Sequence, residues 1–326
     1  MKGSALGLAL AFGACLFGSK SHAEIASFLE RPIRMIVGFS AGGGTDVVAR
    51  ILAQKMSESI GQSVLVENRA GASGLIAADS MAKAPPDGYT LMMGSQTTLV
   101  VAPTLYRKTA FDPARDFAGI ALAGVSPMVL VVHPSLPAYS VNDVIALARA
   151  VPGTLNFGSG GLGTTPHMAA ELFSGLAGIK MAHVAYRGEA PAINDLIGGQ
   201  IALMFPNLSA VMGNVKAGQL RALAVTSARR STAAPEIPTI AEAALPDFDA
   251  ATWFALVAPA GTAHDVLIRL NREVRHALAQ EDVKQRFADL GMTSEDSTPE
   301  SLDAYIKAEI AKWTKVIRDA DIHSLE

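Results

Sequence analysis

Thiols are almost missing from this chain. Cys15 is the only cysteine among 326 residues, and it lies in an N-terminal apolar stretch. Past that stretch the sequence offers no disulfide framework, thiolate nucleophile or cysteine-ligated metal. No block of basic residues occurs and the formal net charge is -3, so nucleic acid and anionic membrane surfaces are not expected partners. After the N-terminal stretch no apolar run is long enough to span a bilayer. His133, His183, His264, His276 and His323 are scattered without the spacing of a zinc site, so no metal or other cofactor is expected. Aromatics make up only 6% of residues while glycine is plentiful, a balance that suits α/β proteins with many tight strand–helix joins.

The N-terminus has the form of an export signal. Lys2 supplies a positive start, Ala5 to Phe17 an apolar core, and Ser21-His22-Ala23 a small-x-small cleavage site before Glu24. Residues 1–23 are therefore expected to be a signal peptide on a soluble exported protein. Gly13-Ala14 before Cys15 raise the possibility of lipidation there, but Phe12 is a poor fit at the third position before the cysteine.

Strand-like and helix-like segments then alternate. Ile33–Phe39 reads as a strand, followed by a helix whose inner face carries Val47, Val48, Ile51, Leu52 and Met56. Val64–Glu67 and Tyr89–Gly94 are further strands, separated by a helix over Leu75–Ala84 and a turn at Pro85-Pro86-Asp87-Gly88. This βαβαβ order implies a parallel sheet with helices on its faces. A second series begins with a strand at Met128–His133 and a helix capped by Ser140. Strands at Leu155–Gly158, His183–Tyr186, Ile201–Phe205, Arg221–Thr226 and Trp253–Ala258 follow, and then a helical tail over 263–279, 282–290 and 299–317. Two similar α/β units without a flexible linker suggest two lobes sharing a cleft.

Two loops stand out. Phe39-Ser40-Ala41-Gly42-Gly43-Gly44-Thr45-Asp46 breaks a strand into glycines and restarts as a helix. Such a turn bares backbone N–H groups at the positive end of a helix dipole and suits an anion. It lacks the G-x-G-x-x-G spacing of a dinucleotide site and the Lys-Ser/Thr of a P-loop. Thr45 or Asp46 could equally be a plain helix cap. The second loop, Gly158-Ser159-Gly160-Gly161-Leu162-Gly163-Thr164-Thr165-Pro166-His167, repeats the pattern with Pro166 in the first helical turn. Facing each other, the two loops could grip a carboxylate from both sides.

Ser159 lacks a complete nucleophile elbow, because Phe157 stands where a glycine is required. A set of Ser159, His167 and Asp195 or Asp46 can be written down but not supported, and His167 is expected to hydrogen-bond the loop instead. Tyr186 and Arg187 arrive together at a strand end. Arg187 could clamp a second carboxylate or be an ordinary surface residue. Ser95-Gln96-Thr97 and Asn207 also end strands, where parallel sheets place ligands.

These segments together resemble the substrate-binding receptors of tripartite tricarboxylate transporters, the Bug family. The carriers are Arg31-Pro32-Ile33-Arg34, Val37-Gly38-Phe39, Gly42-Gly43-Gly44-Thr45-Asp46, Val66-Glu67-Asn68-Arg69-Ala70-Gly71-Ala72-Ser73-Gly74 and Pro85-Pro86-Asp87-Gly88-Tyr89-Thr90-Leu91. Gly158-Ser159-Gly160-Gly161 with His167, Tyr186-Arg187-Gly188 and Leu223-Ala224-Val225-Thr226 complete the set, which spans about Arg31 to Val316. The resemblance implies an α/β, two-lobed periplasmic-binding-protein type II fold with a ligand cleft between the lobes. It implies a monomeric, non-enzymatic periplasmic receptor that passes a small carboxylate to a membrane permease.

Lobe 1 is expected over 24–125 plus about 251–326, with the C-terminal helices packed on it, and lobe 2 over about 126–250. The resemblance puts Phe39, Ala41, Gly43, Thr45 and Asp46 on one wall and Ser159, Gly160, Thr164 and Thr165 on the other. The residues themselves add Ser40, Gly42, Gly161, His167, Ser95, Tyr186, Arg187 and Asn207 to the expected ligand-binding set. Ser40, and Ala185 before Tyr186, stand where the family often has proline. Neither change removes a donor. Two other functions remain open on sequence: a secreted hydrolase using Ser159, and a partner that presents ligand to a membrane kinase.

Overall fold

A computed structural model of the chain describes residues 30–106, 109–186, 188–320 and 322. The signal segment, Cys15 and Arg187 lie outside the described residues. Ten strands are present among the described residues: β1 (Ile33–Val37), β2 (Val64–Asn68), β3 (Thr90–Ser95), β4 (Phe117–Pro127), β5 (Val129–Val132), β6 (Asn156–Ser159), β7 (Ala182–Ala185), β8 (Leu203–Met204), β9 (Arg221–Val225) and β10 (Ala251–Pro259). The helices are α1 (Gly44–Ile60), α2 (Leu75–Ala82), α3 (Ala102–Leu105), α4 (Pro113–Asp116), α5 (Val141–Ala150), α6 (Thr165–Ala177), α7 (Glu189–Ile197), α8 (Leu208–Lys216), α9 (Ile240–Ala243), α10 (His264–Ala279), α11 (Glu281–Asp289) and α12 (Pro299–Asp319).

The strands form two five-stranded sheets, in the orders β2-β1-β3-β10-β4 and β7-β6-β8-β5-β9. In the first, β1 runs parallel to β2 and β3, and β10 runs antiparallel to β3 and β4. In the second, β6 runs parallel to β7 and β8, and β5 antiparallel to β8 and β9. The apolar runs of β1 and β3 are buried because helices cover both faces of the sheet. Helix α1 turns Val48, Ile51, Leu52 and Met56 inward, the spacing of one helical face. It stops at Gly61, whose φ of 75° is left-handed and whose N–H returns to Ser57 O. Helix α5 starts at the expected Ser140, in a reciprocal capping box with Asp143.

The longest strand has no counterpart in the sequence reading. β4 is rich in alanine and glycine, and it lacks the β-branched run that marks most strands. Packing explains the small residues. A Cβ at Gly119 would lie 2.8 Å from Asp303 Oδ1, and one at Gly124 would lie 2.9 Å from Phe287 Cε2. Helices α11 and α12 can approach β4 only because those positions are bare.

The chain passes from the first sheet to the second at Pro127–Met128 and returns between β9 and β10. Thr226, fully buried, joins the two passages. Its N–H donates to Met128 O (2.9 Å), Met128 N–H donates to its Oγ1 (3.0 Å), and its carbonyl accepts from Ala250 N–H (2.9 Å). One apolar core runs from Ile36 and Met92 through Trp253 and Trp313 to Leu130, Phe157 and Phe173. The last C-terminal helix packs on the first sheet and reaches beyond it. Helix α12 lies on β4 but also touches α6, which adjoins the second sheet. Its buried stripe of Leu302, Ile306, Trp313 and Ile317 stabilises this junction by about 2 kcal/mol per large side chain. Among the described residues no helix is long and apolar enough to cross a membrane.

Candidate ligand-binding site

The first glycine loop leaves β1 at Val37. Gly38 is required there, since a Cβ would lie 2.7 Å from Gly74 Cα. The N-cap of α1 is Gly43, with no side-chain hydrogen bond, so neither Thr45 nor Asp46 caps the helix. Asp46 braces the loop instead. It is 1% exposed. Its Oδ2 accepts from Gly42 N–H (2.9 Å) and Arg50 Nε (2.8 Å), and its Oδ1 accepts from Asn68 Nδ2 (2.8 Å). The second N–H of Asn68 reaches Phe39 O at 2.9 Å. The Arg50 hydrogen bond, helped by Gly42 and Asn68 and opposed by burial, holds the Asp46 carboxyl down at about 2. Ser40 to Gly44 are exposed, Phe39 is half-buried and Thr45 is buried. The first-turn N–H groups of α1 have no intrahelical acceptor and no cap.

The second loop leaves β6 at Ser159 and enters α6 at its N-cap, Thr164, again without a side-chain cap. Thr164 Oγ1 donates to Gly161 O (2.8 Å) rather than accepting from the helix. Ser159 is fully buried. Its Oγ accepts from Gly161 N–H (3.1 Å) and lies 2.7 Å from His183 Nε2. Gly163 N–H donates to His167 Nδ1 (3.1 Å), as expected for a histidine that supports the loop. The imidazoles of His167 and His183 stack with centroids 4.1 Å apart, and Phe157 covers His183 at 4.8 Å. Burial, with the nearby His167, pushes the His183 imidazole down to about 4. Gly160 and Gly161 pack on the 186–189 backbone. Gly188 N–H donates to Gly160 O, and Tyr186 N–H to Ser159 O.

The Ser159, His167 and aspartate set is not formed. The histidine touching Ser159 is His183, Asp46 is engaged in the first loop, and Asp195 accepts from the Tyr186 phenol at 2.8 Å. Burial and Asp195 push that phenol up to about 12. Asn207 gives its backbone N–H and its side-chain Nδ2 to the two oxygens of Glu189, at 2.7 and 3.0 Å. Ser95 is buried opposite Phe254 on β10. Thr165 is buried in the first turn of α6. No group of three or more potential metal ligands occurs among the described residues. The sequence reading gave no role to His183, Glu189, Phe254 or Glu309. Glu309 alone carried a visible signal, a lone acid on the apolar stripe of α12.

Two glycine-rich strand–helix turns, one at each sheet, thus lead into helices without side-chain caps. The profile of the tripartite tricarboxylate transporter family receptor matches residues 48–322. The chain belongs to that family. It is 42% identical over 295 residues to the UPF0065 protein of the tcbD-tcbE intergenic region of Pseudomonas sp. strain P51, covering 90% of this chain and 88% of the relative. It is 40% identical over 294 residues to protein BugT of Bordetella pertussis, covering 90% of each. The receptor Rpa4515 of R. palustris, solved with adipate, superposes with a TM-score of 0.77 at 38% identity, covering 91% of this chain and 99% of that one. MatC of Rhodopseudomonas palustris, solved with bound malate, gives 0.73 at 31% identity, covering 88% and 99%. This tripartite-transporter receptor has the two-lobed α/β fold of periplasmic binding proteins, and its family serves solute binding rather than catalysis.

Proposed function

We propose that the chain is exported through residues 1–23, captures a small carboxylate in the periplasm between loops 39–46 and 158–167, and delivers it to a tripartite-transporter permease. The observation that carries this reading is the pair of helices, α1 and α6, that start after glycine turns without side-chain caps. Helices α2, α7 and α8 also follow strands without a side-chain cap, but the turns before α1 and α6 carry three glycines each, which leaves the backbone there bare of side chains. A carboxylate would complete what the side chains leave undone, and the helix dipoles favour its charge. Lobe 1 would be 24–125 plus about 251–326 and lobe 2 about 126–250, hinged at the Thr226 clasp. Phe39, Ser40, Ala41, Gly42, Gly43 and Thr45 would line one wall. Gly160, Gly161, Thr164 and Thr165 would line the other, and Ser95, Tyr186, Arg187 and Asn207 would surround the ligand's far end. Asp46, Ser159 and His167 hold the loops in shape. Adipate and malate in the two relatives support aliphatic dicarboxylates as the first compounds to test.

The test is a thermal-shift panel of aliphatic and aromatic carboxylates. A ligand at about 100 times its Kd stabilises by about 2.7 kcal/mol, which is a rise of about 4 °C for a protein of this size. No shift with any acid at millimolar concentration would overturn the reading.

A further inference from the structure

Glu309 occupies a core position of α12 and is 4% exposed. Its Oε2 accepts from Trp253 Nε1 (2.9 Å), Trp313 Nε1 (2.9 Å) and Gln96 Nε2 (3.2 Å), and its other oxygen pairs with Lys312. A carboxylate can only accept, so the Gln96 amide must turn its NH2 towards Glu309. The amide oxygen is thereby fixed on the other side and cannot exchange places with the nitrogen.

That oxygen is orphaned. Gln96 is fully buried and Ser95 is 4% exposed. Gln96 Oε1 and Ser95 Oγ have no hydrogen-bond partner among the described residues. A third such atom, Asp79 Oδ1, belongs to a carboxylate already paired with Lys83 at the surface. A buried polar atom without a partner is destabilising, and two in succession call for a reason.

Their position supplies one. Strand β3 runs parallel to β1 with Met93 beside Val37, so two residues on Ser95 comes level with Phe39, where the first loop begins. On its other side Ser95 pairs with Phe254. The Phe254 ring reaches the start of α1, where a Cβ on Gly44 would lie 3.4 Å from its Cζ. Ser95 and Gln96 thus stand beside the first loop, at the carboxyl end of the parallel strands, where such sheets receive ligands.

We propose that Gln96 selects carboxylates that carry a hydroxyl or amino group, with Gln96 Oε1 accepting that group's hydrogen. The inference rests on the carboxylate-receptor reading above. A site built around a committed acceptor disfavours the analogue that lacks the donor, because the acceptor is then left unpaired. Glu309 enforces the choice by holding the amide nitrogen away.

Calorimetric titration of three matched pairs tests this: succinate with malate, adipate with 2-hydroxyadipate, and phenylacetate with mandelate. In whichever pair binds, the hydroxy acid should bind at least about tenfold more tightly. The 2-fluoro analogue, similar in size but with no proton to give, should bind like the unsubstituted acid. Gln96→Met should bring the ratio close to one while leaving the unsubstituted acid's affinity within about threefold. Equal binding of the two members by the wild-type protein, as when a water serves both oxygens, overturns the inference and leaves the carboxylate receptor standing. So does a hydroxy preference that survives in folded Gln96→Met, or a fluoro analogue that binds like the hydroxy acid. The fluoro comparison needs no variant and decides the matter even where Gln96→Met does not fold. Binding of none of the six acids overturns the inference for these classes, and the wider thermal-shift panel then decides the receptor reading separately.

Discussion

The two glycine loops have the same outline and opposite supports. Each ends a parallel strand, turns through glycines and starts a helix without a side-chain cap. The first is braced by ions: Asp46 ties Gly42, Arg50 and Asn68 together. The second is braced by hydroxyls and imidazoles: Ser159, Thr164 and the stacked rings of His167 and His183. An anion at either loop would meet backbone dipoles, and the Asp46 carboxylate of the first is already paired with Arg50. The lesson concerns net charge. On the proposed reading, a chain at -3 holds an anion at two loops without a basic side chain in direct contact.

The largest expected difference comes from removing the ionic brace. Asp46→Ala leaves Gly42 N–H and Asn68 without their acceptor in a buried place and frees Arg50. A loss of about 3 kcal/mol is expected, or about 5 °C in Tm, along with ligand binding. Asp46→Asn keeps an acceptor for one donor and should lose about half as much. If Asp46→Ala melts at the wild-type temperature, the first loop is not held by its carboxylate and the contrast between the loops fails.

Next come the glycines, which sharpen the contrast in packing. Gly163 has a φ of 73°, and a Cβ there would lie 2.5 Å from Leu105 Cδ1 on α3. Gly42 has a φ of 84° with nothing within 4 Å. Gly42→Ala should cost about 1 kcal/mol for the left-handed backbone alone. Gly163→Ala should cost about 2–3 kcal/mol, since overlap is added to strain. Because Leu105 adjoins the first sheet, Gly163→Ala should also weaken binding more than Gly42→Ala. Equal melting temperatures for the two variants would mean that the second loop does not bear on its neighbour.

The sequence showed this architecture clearly wherever apolar runs met glycine. The expected strands at β1, β2 and β3, and those of the second series, lie within two residues of their observed bounds. The two-lobed α/β class followed from that alternation. β4 stayed hidden because its alanines and glycines are dictated by helices that arrive from far later in the chain, through Phe287 and Asp303. The supports of the second loop were half visible. His167 lies four residues from Gly163 and could be read locally. His183 could not, because its contact with Ser159 depends on β7 lying beside β6. Glu309 likewise gains its meaning only when Trp253 and Gln96 are brought to it from β10 and the end of β3.

The smallest effect separates the loops by pH. The His183 imidazole ionises near 6.5 in the unfolded chain and at about 4 in the folded one. Between those values the unfolded state holds more protons, so stability falls as pH falls through that window and is fully present above 6.5. At pH 5 the loss from this group is at most about 2 kcal/mol. Asp46, held at about 2 in the folded chain, adds its own loss only as pH nears its unfolded value of 3.8, below most of that window. His183→Phe keeps the stacking but removes the proton site, so its Tm should change less between about pH 6.5 and pH 4 than that of the wild-type protein. Asp46→Asn should leave the His183 part of the slope intact. Parallel Tm profiles for wild type and His183→Phe would show that the second loop's support does not titrate, and that the two loops differ in chemistry but not in their response to acid.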